Sequence, residues 1–170
     1  APIVLDPCGN PLSVVRAQRQ ILLPECGLAA SWPLVGLVFI NPPYGSALAE
    51  WSERMRAHAA AGGELVALVP ARTDTGWWRV LDPALWCAWA GRLRFLQALE
   101  DWQKGEIKRA AAAASKGKPR RVRAAPPEVA PGLVAGDAAP FPVAVCYHGP
   151  RPAEFSRAFW SSGPIYQRLR

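Results

Sequence analysis

The chain has 170 residues, 51% of them hydrophobic and 19% charged, a length and balance that suit one globular domain with a buried core. Its longest apolar runs, such as the one at residues 34–40, are far too short to span a bilayer, and no charged-then-apolar leader opens the sequence, so a cytoplasmic protein is expected. The net charge is +7, and it is local: between Lys104 and Arg123 eight basic residues face only Glu106, while the rest of the chain sums to zero, which points to a polyanion partner.

In chain order, "PIVLDPCGNPLSVVRAQRQILL" reads as a short apolar strand, a Pro/Gly/Asn turn and an amphipathic helix from near Ser13, with Val14, Val15, Ile21 and Leu22 as its apolar positions. "LVGLVFI" (34–40) is a buried strand, and "AEWSERMRAHAAAGG" a helix closed by Gly62 and Gly63. "ELVALVPA" is a second buried strand with a proline stop. Strand, helix, strand, helix, strand is the pattern of an α/β fold with a parallel sheet covered on its faces.

The middle of "DTGWWRVLDPALWCAWAGRLRFLQ" reads as a tryptophan-rich helix, with a strand from Arg92 to Leu96. Most of the eight tryptophans are expected in the core. Residues 104–139, rich in lysine, arginine, alanine and proline without a period, read as a flexible basic insertion within a single domain spanning residues 1–170. "FPVAVCYHG" is an alternating strand expected to pair antiparallel with "GRLRFLQ". The tail, with Phe155, Phe159, Trp160 and Tyr166, carries enough apolar surface to dock on the body.

Cys8, Cys26, Cys87 and Cys146 form no C-x-x-C pair, and only His58 and His148 could join them as metal ligands. The expectation is reduced, mostly buried thiols and no metal site. His58, on a helix among alanines, reads as a surface residue, and His148 as a strand end.

In open α/β sheets ligands bind at the carboxyl ends of the strands. Asp6, Asn41 and residues 70–74 all follow such ends. The segment "FINPPYG" (39–45) is the most telling, because its prolines stiffen Asn41 and Tyr44 into a set relation. An amine on an aromatic ring is a poor nucleophile, since its lone pair is delocalised into the ring. Two convergent acceptors, the Asn41 side-chain oxygen and the Pro42 carbonyl, would favour its pyramidal form, and Tyr44 offers a stacking face. A base in duplex DNA would have to be flipped out to reach such a pocket. Taken singly, Asn41 and Tyr44 also suit an ordinary turn.

The series "LDPCGNPLSVV", "VFINPPYG", "LVPARTDTGWW", "GRLRFL" and "PFPVAVCYHG" resembles the phage-type DNA N6-adenine methyltransferases, enzymes that depend on S-adenosylmethionine and have a Rossmann-like sheet flanked by helices. The resemblance runs from about Ile3 to Gly149 outside the basic segment, and "PARTDTGWW" is its more specific element. It implies that Asn41, Pro42, Pro43 and Tyr44 hold the target adenine and that Asp6, Pro7, Cys8 and Gly9 form the first cofactor motif. Glu25, the nearest acid, is assigned to the cofactor ribose.

Arg72, Thr73, Asp74 and Thr75 would contact the substrate or the 41–44 loop, although Asp74 equally suits a helix cap. Trp77 and Trp78 lie beside the expected site, and Arg120, Arg121 and Arg123 are assigned to DNA phosphates. Such enzymes carry a segment upstream of the first strand, where this chain begins, and the distance from Gly9 to Asn41 is short for them. A non-catalytic or truncated relative, or an enzyme acting on RNA or a protein amide, therefore stays open.

Overall fold

The computed structural model describes residues 2–11 and 13–168, which divide into two compact units: the residues up to Arg92 together with those from Pro140, and Leu93–Ala139.

The larger unit is an α/β layer structure. Its seven strands are β1 (Ile3–Asp6), β2 (Arg19–Gln20), β3 (Leu37–Ile40), β4 (Glu64–Pro70), β5 (Leu85–Ala88), β9 (Val143–His148) and β10 (Ile165–Gln167). They lie in the order β10-β5-β9-β4-β3-β1-β2. β2, β1, β3 and β4 are mutually parallel, β9 runs antiparallel to both β4 and β5, and β10 antiparallel to β5, so the sheet is mixed.

Helices α1 (Leu48–Ala60), α2 (Gly76–Leu81) and α4 (Pro152–Phe159) cover this sheet. Side chains alternate across a strand. In β4, Leu65, Ala67 and Val69 pack with Trp51 and Met55 of α1 and Leu81 of α2, whereas Val66 and Leu68 pack with the cluster around Phe155 of α4. Both faces are therefore buried. The Tyr147 hydroxyl donates to Glu64 Oε1 at 2.6 Å and accepts from the Arg151 backbone N–H at 2.7 Å, tying the start of α4 to the sheet.

Several expectations change. No helix starts at Ser13: the N–H groups of Gln18 and Ile21 donate to the carbonyls of Ile3 and Asp6, drawing the segment onto the sheet edge as β2, and Val14 is left exposed. Two adjacent β-branched valines, stiff in a helix, favour that outcome. The tryptophan-rich stretch splits into α2 and β5, because Pro83 disfavours the helical region for the residue before it and Asp82 turns left-handed at φ 44°.

The strand near the carboxyl terminus does not pair with "GRLRFLQ". It pairs with β4 and β5, and all six of its residues are buried because it is flanked on both sides. His58 is buried rather than on the surface: it packs edge-on to Trp32 and occupies the space above Gly63, where any Cβ would come within 2.2 Å of its Nε2. Trp32, Trp51, Trp78 and Trp102 are core residues, while Trp160 is exposed. None of the cysteines is bridged; Cys87 and Cys146 are buried, Cys8 half-buried and Cys26 exposed.

The smaller unit contains the segment expected as a flexible basic insertion. It holds β6 (Arg94–Ala98), α3 (Leu99–Ala114), β7 (Glu128–Ala130) and β8 (Leu133–Ala138), and the strands form an antiparallel sheet in the order β6-β8-β7. The run of alanines from Ala110 to Ala114 is good helix-forming sequence, and it continues α3. Its buried residues include Trp102, Glu106, Leu133, Val134 and Ala139.

Among the described residues no helix is long and apolar enough to cross a membrane.

Candidate functional site

Since β1, β3 and β4 are parallel neighbours, their carboxyl ends stand side by side. That adjacency brings together the three segments singled out in the sequence: Asp6 to Gly9, Asn41 to Tyr44, and Ala71 to Thr75.

The Asp6 carboxyl is buried and accepts the Cys8 N–H at 2.9 Å. Burial pushes its pKa up, with the Cys8 hydrogen bond pulling the other way. Burial also raises the Cys8 thiol, helped by the Asp6 charge and opposed by a backbone hydrogen bond from Asn41. The sulfur thus links the first loop to the second and is no nucleophile at neutral pH.

Pro7 is buried under Gly27. A Cβ at Gly27 would stand 1.9 Å from the Pro7 carbonyl oxygen, so only glycine lets the 26–30 turn lie against this loop. Trp32 completes the support by donating its Nε1–H to the Gly27 carbonyl at 2.9 Å. Gly9 also serves a close approach, but that of Gln20, whose Cβ would lie 2.8 Å from a Cβ at position 9.

In the second loop, Asn41 is half-buried, Pro42 buried and Pro43 exposed. The Tyr44 hydroxyl lies 3.1 Å from Asn41 Oδ1 and 3.3 Å from the Leu68 carbonyl oxygen, both acceptors for its single proton. The Tyr44 ring meets Phe141 edge-on, with centroids 5.6 Å apart. Burial raises its hydroxyl pKa, so the phenol stays protonated and able to donate. Asn41 Oδ1 keeps a second lone pair, and among the described residues no backbone N–H bonds the Pro42 carbonyl. Two acceptors at one loop, with a polarising donor behind one of them, can hold two N–H groups.

In the third segment Arg72, Thr73 and Asp74 are exposed. Thr75, not Asp74, is the residue before α2, and it makes no side-chain cap; its Oγ1 donates to the Arg72 carbonyl at 2.7 Å and so closes the turn. Trp77 is half-buried and sits edge-on to Trp78, which in turn meets Trp86 edge-on. Trp78 is thereby a packing residue.

Two assignments involve residues that carry ion pairs of their own. Glu25 is exposed and paired with Arg19 at 2.6 Å. Arg120 and Arg123 belong to the smaller unit, where both bind the buried Glu106, and Arg123 also bonds Asp137 at 2.9 Å. Arg121 is exposed.

Sequence reading missed Gly27, Phe141 and the Leu68 carbonyl. Gly27 follows Cys26 in a segment with no motif, and Phe141 was legible only as the start of a strand. A cavity of about 490 Å³ lies at the opposite edge of the sheet beside His148, Arg56 and Asp82, so it does not adjoin this site.

The chain matches no known family model, no curated protein and no solved structure.

Proposed function

We propose that the chain transfers a methyl group from S-adenosylmethionine to the N6 amine of adenine in DNA. The observation that carries this reading is the acceptor pair at Asn41 and Pro42, fixed by two prolines and placed beside the buried Asp6 carboxyl on the neighbouring strand end.

Asn41 Oδ1 and the Pro42 carbonyl would accept the two N–H groups of the exocyclic amine and draw its lone pair out of conjugation with the ring. The Tyr44 hydroxyl, behind Asn41 Oδ1, holds the amide in the orientation this needs, and the Tyr44 ring gives the flipped base a surface to stack on. No residue has to abstract a proton before the nitrogen reacts.

The cofactor supplies an electrophilic methyl group. The residues at the end of β1 suit its amino-acid portion: a buried carboxyl with one backbone N–H on Oδ1 is a fitting counter-charge for an ammonium group. Glu25 would serve the ribose with the acceptor positions that its pair with Arg19 leaves open.

The test is methyl transfer from labelled S-adenosylmethionine to unmethylated DNA, RNA and a protein extract, read by mass spectrometry of the products. N6-methyladenine in DNA with wild type and none with Asn41→Ala is the expected result. Label in protein or RNA alone would replace DNA as the substrate, and no transfer by folded protein would overturn the reading.

A further inference from the structure

Eight basic residues stand between Lys104 and Arg123, but they are not equivalent. Lys104 pairs with Glu100 at 2.5 Å on the surface of α3. Arg109, Arg120 and Arg123 converge on Glu106, whose side chain is fully buried, and Arg109 and Arg123 also reach Asp137. The Arg123 backbone N–H donates to Glu106 Oε1 as well, and its guanidinium lies over the Trp102 ring. Arg123's hydrogen bond, then those of Arg109 and Arg120, hold the Glu106 carboxyl far below the usual carboxylate range, against the opposing effect of burial.

Arg120 and Arg123 are engaged around a buried carboxylate, and pulling either away from it would be a costly exchange. The remaining four, Lys108, Lys116, Lys118 and Arg121, are exposed, and among the described residues no ion pair holds them. They stand on the outer side of α3 and in the segment that follows it.

Resting on the reading that DNA is the substrate, we propose that the smaller unit binds the phosphate backbone of duplex DNA through Lys108, Lys116, Lys118 and Arg121. Arg109, Arg120 and Arg123 are positioning residues that fold the segment after α3 onto Glu106. This reassigns Arg120 and Arg123 from phosphate contact to internal support. Lysines beyond a helix C-terminus also complement its dipole, but that role contributes nothing to salt-dependent DNA affinity.

The experiment is fluorescence anisotropy of a labelled duplex across a salt series, with full-length protein and no methyl donor. Replacing the four residues together (Lys108→Gln, Lys116→Gln, Lys118→Gln, Arg121→Gln) is expected to lower the log–log salt slope by about 3 to 4, at about 0.9 per phosphate. The melting temperature should fall only slightly, by the loss of the lysines' favourable interaction with the helix dipole. Arg120→Gln should lower the melting temperature while its slope stays within one unit of wild type.

A quadruple variant with wild-type affinity and slope overturns the proposal, as does wild-type protein that binds RNA but no duplex. Because binding is read without catalysis, DNA binding that depends on the four residues in a protein that methylates nothing would sink the proposed activity and uphold this surface.

Discussion

The Tyr44 hydroxyl stands 3.1 Å from Asn41 Oδ1 across the Pro42-Pro43 bridge, so the residue offered for stacking also orients the residue offered for catalysis. The same hydroxyl reaches the Leu68 carbonyl on β4, and the loop is thereby referenced to the central strand.

This coupling separates two substitutions. If the proposed reading holds, Asn41→Ala removes an acceptor from the reacting amine and should lower kcat/KM by about 100-fold or more, in the range seen when one stabilising polar group is removed. Tyr44→Phe keeps the ring and deletes one hydrogen bond of about 0.5–1.5 kcal/mol, which corresponds to a loss of about 2- to 12-fold. Equal losses in the two variants, measured with labelled donor, would show that Asn41 acts only through the loop's shape.

Asp6 gives a different signature. Burial raises its pKa, so the folded state favours the protonated form and ionisation weakens stability as pH rises through the folded value. Asp6→Asn removes that penalty. Its melting temperature at neutral pH should equal or exceed that of wild type, while cofactor affinity, followed by calorimetry, should fall. A variant that loses stability and keeps affinity would mark Asp6 as a purely structural residue.

Gly27 tests the support beneath the first loop. A Cβ placed 1.9 Å from the Pro7 carbonyl oxygen forces backbone to move, and overpacking of this kind costs about 1–3 kcal/mol. Gly27→Ala should shift the denaturant midpoint accordingly and weaken cofactor binding with it. An unchanged midpoint would mean that the turn relaxes freely.

His58 and His148 predict an acid limit. Burial, the first cause in each case, lowers both pKa values below the ordinary 6.5; the Arg54 charge adds to this at His58, while the hydrogen bond to the Leu81 carbonyl opposes it at His148. The unfolded chain therefore binds protons that the folded one resists. Stability is full above about pH 6.5 and falls below it, with each histidine contributing a slope of at most about 1.4 kcal/mol per pH unit. Thermal melts between pH 7.5 and about 5 should show the decline, and His58→Gln should reduce the slope by one histidine's share.

The sequence by itself determined what is local. Buried strands at 37–40 and 64–70, the helix between them and the stiff Asn-Pro-Pro-Tyr loop follow from apolar runs, glycine stops and proline geometry. The placement of Asp6, Asn41 and Arg72 after strand ends was legible for the same reason.

Tertiary structure decided what depends on partners distant in the chain. Residues 13–22 have apolar spacing that a helix could use, yet the carbonyls of Ile3 and Asp6 claim their N–H groups for the sheet. "VAVCYH" fits any sheet position by its pattern, and only the flanking β4 and β5 made it a central strand. The basic segment carried its charge in plain view. Which of its cations were internal was set by one buried carboxylate, Glu106, because a charge removed from water needs counter-charges around it.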